Sequence, residues 1–404
     1  MRVLLVTMGS RGDVEPFAEL GLELARAGHE PLLAAPRRLT EDAAARGLPV
    51  APLDDGVFAL QEEVAGKGTR ASITAARSAL PMLRRWLDDL ATLRDSGADV
   101  VVYAPKTLGA PHLADLLGVP SIAALPIPLF TPTARFPSPL SPVPPPRFLN
   151  RASWGLAGVI EAPYRRMVRS WRSEVLGLTG PTTGLAERVA RDGVLHAWSP
   201  HLLPAPDDWP AELAPTGFWG LPPNGRWAPS EALDRFLDAG EPPVYVGFGS
   251  MVVKNPEAFT DAVLDGLHRS GRRAVLATGW GALRPSLVPE TVHVLDQAPH
   301  SLLLPRTAVA VHHGGVGTVA AALRAGVPQV IRPFLGDQPF WARRVHELGI
   351  GAPALTGKFT ADRFAAAIDD AAGRADAARE LGARVGEEDG VATAVTRIER
   401  VAES

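Results

Sequence analysis

Short apolar runs that end in glycine turns recur along this chain, and most are followed by a stretch with helical spacing. Val3 to Thr7 reads as a buried strand that passes through a Gly-rich turn into a helix opening near Pro16. Phe17, Leu20 and Leu24 space the inner face of that helix, and Gly28 closes it. Further strands are predicted at Pro31 to Ala35, Val100 to Ala104, Ser121 to Leu125 and Val194 to Trp198, with a helix over Leu108 to Leu117. A second alternation runs through Val244 to Gly247, Ala274 to Ala277, Val292 to Leu295, Val309 to Val311 and Gln329 to Ile331. Strands that alternate with helices predict parallel sheets covered on both faces. The halves share this pattern without a close sequence repeat. The fold class is therefore α/β, with two Rossmann-like domains.

Two proline-rich stretches interrupt the alternation. Pro204 to Pro229 reads as a crossing segment, so the first domain is expected at residues 1–219, a linker at 220–229 and the second domain at 230–404. A chain of 404 residues fits two domains of about 200 each. Between Pro126 and Pro146 prolines recur every few residues, which excludes a helix or a central strand. This stretch is either a disordered surface loop or a mobile wall of a binding pocket, with Phe130, Phe136 and the following Trp154 and Trp171 as apolar lining or as core.

The bulk charge of −3 argues against a general nucleic-acid or anionic-membrane surface. The absence of cysteine excludes disulfides, thiolate metal sites and a cysteine nucleophile. The amino terminus reads as a first strand and not as a signal peptide, and no apolar run approaches the roughly 18 residues of a membrane span. A soluble, cytoplasmic protein with no integral membrane association is expected, its oligomeric state open. The paired acids Asp54-Asp55, Asp88-Asp89, Asp207-Asp208 and Asp369-Asp370 lack histidines at ligand spacing and read as solvated surface.

The chemistry concentrates between Val309 and Gln338. A strand delivers His312, His313, Gly314, Gly315, Gly317 and Thr318 into an apolar helix, Val319 to Ala325, that stops at Gly326. Unpaired N–H groups and the positive end of the helix dipole make such a turn a phosphate cradle, although glycines also serve close packing alone. One strand later come Asp337 and Gln338, an acid and an amide able to hold hydroxyls. Carboxyl ends of adjacent parallel strands face one crevice, so the combination suggests a sugar attached to a diphosphate. At the end of the first strand, Gly9-Ser10-Arg11-Gly12-Asp13 lacks the GxGxxG pattern of a dinucleotide site and leaves Asp13 as either a helix cap or a reactive carboxylate.

The run HHGGVGT, followed by GVPQ and then GDQPFW, resembles the donor signature of the nucleotide-sugar-dependent glycosyltransferases of the GT-B fold. Within them it is similar to the UDP-glycosyltransferase branch of the vancomycin-pathway type and the sterol glucosyltransferases, and the amino terminus matches as well. The resemblance implies two domains facing a cleft and inverting, metal-independent transfer of a hexose, with glucose expected, from a UDP- or dTDP-sugar co-substrate. The acceptor would be a hydroxyl on an apolar small molecule such as a polyketide, glycopeptide, flavonoid or sterol, as in antibiotic biosynthesis. It makes Asp13 the base, and His313, Gly314, Gly315, Gly317 and Thr318 the diphosphate site, joined by Ser250 and, from the first domain, by Ser10 and Arg11. His312 reads as the less certain of the histidine pair, because the family's ligand directly precedes Gly314. Asp337 and Gln338 would hold the sugar, and Gln297 and His300 the nucleobase, with Trp280 either stacking on it or packing in the core. Phe130, Phe136 and Trp154 are the acceptor candidates. No glutamate stands near Ala321 to bind a ribose diol, so uridine and thymidine stay open. The last helix, Ala377 to Ala402, would pack back on the first domain. An epimerase of similar architecture and an inactive auxiliary partner protein are the alternatives.

Overall fold

The computed structural model describes residues 1–56, 69–141, 143–220, 227–249, 251–279, 282–285 and 287–403, the side chains of 69–79, 159 and 160 apart. The chain divides into two compact units, the first Met1–Pro200, Pro204–Leu221 and Asp389–Ser404, the second His201–Leu203 and Pro222–Glu388.

In the first unit the described strands are β1 (Arg2–Val6), β2 (Glu30–Pro36), β3 (Val50–Leu53), β4 (Val100–Tyr103), β5 (Ser121–Leu125) and β6 (Val194–His196). They form a parallel sheet in the order β3-β2-β1-β4-β5-β6. Alternate residues of each strand go to opposite faces. Leu4, Val6, Val101 and Tyr103 pack on one side with Trp86, Leu90 and Trp171. On the other side Val3, Leu5, Val100 and Val102 pack with Phe17, Leu20 and Leu24 of the helix Arg11–Arg26. That second face is completed by Ala394, Val395 and Ile398 of the final helix, Gly390–Glu403. The stretch expected as one last helix is therefore two. Ala375–Gly386 belongs to the second unit, and the helix ends there before the one that serves the first unit begins at Gly390.

The second unit's described strands, β7 (Val244–Gly247), β8 (Ala274–Ala277), β9 (Val292–Leu295), β10 (Val309–His312) and β11 (Gln329–Ile331), form a parallel sheet in the order β11-β10-β7-β8-β9. Two sequence expectations shift. The first helix starts at Arg11, five residues before Pro16, because Ser10 and Asp13 together close its amino end. Strand β3 was not legible, since Pro52 interrupts it; it lies at the sheet edge, where a missing N–H costs nothing. Among the described residues no helix is long and apolar enough to cross a membrane.

Candidate functional site

In each sheet the direction of chain progression reverses between two neighbouring strands, β1 and β4 in the first unit, β7 and β10 in the second. Carboxyl ends at such a reversal open into a crevice, because the following connections leave toward opposite sides. Asp13 stands at the first of these places, and His313 with the glycine turn at the second.

At the end of β1 the backbone turns at Gly9 with φ +136°, and a side chain there would fall on the Asp13 carboxylate. Asp13 Oδ2 accepts from the Ser10 backbone N–H at 2.7 Å and from Ser10 Oγ at 3.1 Å, and Thr7 Oγ1 donates to the Asp13 carbonyl at 2.9 Å. Asp13 is thus the acidic half of a capping box. Its other oxygen, Oδ1, is met by Lys106 Nζ at 2.5 Å. Lys106 sits in the tight turn Pro105–Thr107 directly after β4, so the strand reversal is what brings the two together. Arg11 is exposed, 3.7 Å from Glu15. Ser10 is committed to Asp13, which leaves its expected role at a phosphate without direct geometry in this unit.

At the end of β10 the two histidines separate in role. His312 is fully buried; its Nδ1 accepts from the Gly314 N–H at 3.1 Å and its Nε2 donates to Gln329 Oε1 at 3.0 Å. Burial pushes its pKa down to about 3, helped by its neighbour His313, so the ring is neutral and holds the turn in place. His313 lies between two glycines. Its Cε1 is 3.3 Å from where a Gly249 side chain would begin, and its Nε2 is 2.5 Å from the same point on Gly315. Burial, and then His300, depress its pKa to about 4. Its Nδ1 is buried without a hydrogen bond among the described residues.

Gly314 has φ +93°, and a side chain there would press on Ile331 at 2.6 Å. The helix Val316–Arg324 then starts three residues earlier than its apolar run, with Gly315 as N-cap and no side chain capping it. Its first two N–H groups, of Val316 and Gly317, have no intrahelical acceptor to reach, while that of Thr318 donates to the Gly315 carbonyl at 3.0 Å. Thr318, largely buried, is in that first turn.

The remaining candidates are less open. Gln338 is buried, and its Oε1 accepts from the N–H groups of Phe334 at 2.7 Å and Leu335 at 3.1 Å. Asp337 is the N-cap of the helix Gln338–Glu347, and its Oδ2 accepts from Trp341 Nε1 at 2.7 Å. The pair therefore braces the loop after β11. His300 Nε2 is 3.0 Å from Tyr245 Oη, which commits this ring to the core side of its helix. Gln297 is exposed just after β9. Ser250 and Trp280 lie outside the described residues.

The proline-rich stretch is pinned, not loose. Asp208 accepts from Thr133 Oγ1 at 2.6 Å and from the Ala134 N–H at 2.9 Å, and Asn150 Nδ2 donates to the Ala134 carbonyl at 3.0 Å. Trp154 is 4% exposed, stacks beside Phe136 and donates to its carbonyl, so it is core of this segment and not pocket lining. Trp171 is likewise buried. Phe130 packs on the first unit's core. A cavity of about 350 Å³ in this unit is lined by Leu108, His112, Tyr164, Val168 and Arg169 among others, and by none of Phe130, Phe136 and Trp154.

Sequence reasoning missed Lys106. It stands 93 residues from Asp13, and a lysine in a short turn has no periodicity to mark it. The one available signal was its place directly after the strand expected at Val100 to Ala104.

Residues 279–398 match the model of the erythromycin biosynthesis protein CIII-like C-terminal domain. A sterol 3-beta-glucosyltransferase of Arabidopsis thaliana is 34% identical over 98% of this chain, and one of Aspergillus fumigatus is 32% identical over 99% of it. The chain spans 64% of the length of the first and 30% of the second. The crystal structure of the glycosyltransferase VinC in complex with dTDP superposes with a TM-score of 0.67 at 21% identity, covering 100% of both chains. The fold of this chain is therefore that of the GT-B glycosyltransferases, and it carries the EryCIII-like C-terminal domain over residues 279–398.

Proposed function

We propose that this chain transfers a hexose from a UDP- or dTDP-sugar to a hydroxyl of a lipophilic small molecule, with inversion at the anomeric carbon and without a metal. The observation that carries the reading is the uncapped glycine turn at the start of Val316–Arg324, flanked by neutral His313 at the strand reversal. Backbone N–H groups there, the helix dipole, the Thr318 hydroxyl and an N–H of His313 match what a departing diphosphate needs. His313 Nδ1, buried without a partner, would gain one. His312 shapes the turn from behind.

The first unit supplies the base. The acceptor oxygen attacks the anomeric carbon while its proton passes to Asp13, and the bond to the diphosphate breaks on the opposite face. An ordinary carboxylate cannot ionise an alcohol beforehand, so the proton moves in concert with bond formation. Asp13 Oδ2 is held by the helix cap and Oδ1 by Lys106. A carboxylate oxygen has two acceptor sites, so Oδ1 keeps one for the acceptor hydroxyl. The cap fixes the direction in which that site points. The named activities of the two relatives, both sterol 3-beta-glucosyltransferases, favour a sterol-like alcohol and glucose.

The test is incubation with UDP- and dTDP-sugars against a panel of sterols, macrolides, flavonoids and glycopeptide aglycones, read by mass. A gain of one hexose on an apolar alcohol is expected. Donor turnover to another nucleotide sugar with no acceptor consumed would contradict the reading.

A further inference from the structure

Residues 143–172 carry six arginines, Arg147, Arg151, Arg165, Arg166, Arg169 and Arg172, against a single acid, Glu161. That is a local charge of +5 in a chain whose total is −3. Asp208, Glu161 and Asp115 engage Arg151, Arg165 and Arg172. Arg147, Arg166 and Arg169 are exposed and have no ion pair among the described residues. Large apolar side chains are exposed in the same stretch: Phe148 at 83%, Val143 at 73%, Leu149 at 41% and Leu156 at 38%. These are four of the eight exposed large hydrophobics among the described residues, within fourteen positions, which sets this segment apart from scattered surface apolar residues.

The exposure is built in. Asn150 is buried and donates to the Ala134 carbonyl, Ser153 Oγ accepts from the Ser138 N–H at 2.8 Å, and Trp154 donates to the Phe136 carbonyl. With these three turned inward, the tight turn Arg147–Leu149 and the short helix Asn150–Ser153 hold Phe148 and Leu149 outward. A second copy meeting this face would set the exposed arginines without ion pairs, Arg147, Arg166 and Arg169, against their own counterparts. An anionic bilayer instead offers headgroups to the guanidinium groups and an acyl boundary to Phe148 and Leu149.

We infer that residues 143–156, together with the exposed Arg166 and Arg169 further along the same stretch, dock the protein peripherally on anionic lipid bilayers. This attachment stands on the patch alone and needs neither a sugar donor nor an acceptor. The full chain is sedimented with vesicles of phosphatidylcholine, and with vesicles of phosphatidylcholine and phosphatidylglycerol in equal parts. Binding to the anionic vesicles is expected, and it weakens as salt is raised. Charge reversal of Arg147, Arg166 and Arg169 weakens it about five-fold or more per residue. Phe148→Asp with Leu149→Asp weakens it by about a hundred-fold. All these positions are on the surface, and circular dichroism of each variant reports its fold. Equal binding to both vesicle types, binding to neither, or variants that bind as the parent does would overturn the inference. So would a concentration-dependent dimer that the Phe148 and Leu149 changes abolish while vesicles stay unbound.

Discussion

His313 is uncharged at neutral pH in the free protein, because burial and the neighbouring His300 hold its pKa near 4. A bound diphosphate favours the charged ring and raises that value. Donor affinity then rises as pH falls below the raised value of the complex, by up to about ten-fold per unit, and levels off near the free value of about 4. Calorimetric titration of UDP or dTDP across that range checks this. The nucleotide's own phosphate titration is removed by comparison with His313→Gln, in which the excess slope should vanish; equal slopes in the two proteins would remove His313 from the diphosphate. Its neighbour shows how little sequence says about such a pair. His312 and His313 are adjacent and chemically identical, yet one faces Gln329 in the core and the other the glycine turn, a difference set by the outward and inward alternation of β10 and its turn. Asp13 was legible as cap or base, and geometry makes it a cap whose second oxygen faces Lys106. That lysine was illegible because only the strand order places it there.

Elements followed from pattern wherever burial was complete. Ser121–Leu125, Val244–Gly247 and Ala274–Ala277 follow their apolar runs, since strands covered on both faces are apolar nearly throughout, and the buried Ser121 is satisfied by donating to Asp192 at 3.3 Å. Edges and helix breaks were harder: Val50–Leu53 contains a proline, and the break between Ala375–Gly386 and Gly390–Glu403 has no strong punctuation beyond Gly386 and Gly390. The final helix closes a sheet face of the first unit although it comes from the far end of the chain. Ile398, fully buried in that face, tests its weight. Ile398→Ala should cost about 2–5 kcal/mol. Urea unfolding followed by a first-unit probe reads it, and an unchanged midpoint would mean that the helix is dispensable to that core.

Over the whole molecule, averages hide what matters. A net charge of −3 argued against binding to an anionic membrane, and the mean conceals a thirty-residue segment of opposite sign. The family resemblance was carried by HHGGVGT, GVPQ and GDQPFW in the second unit and by the amino terminus of the first, and of these HHGGVGT and the turn after β1 stand where strand order reverses. The proposed chemistry divides along the same line, diphosphate to the second unit and proton to the first. Asp13→Asn separates these halves most directly, since the amide keeps an oxygen for the Ser10 cap and loses the base. Transfer in a single turnover, measured beside calorimetric donor affinity, should fall by about 10²–10⁴-fold with the affinity unchanged. Transfer at the parent rate with donor still bound would contradict the account.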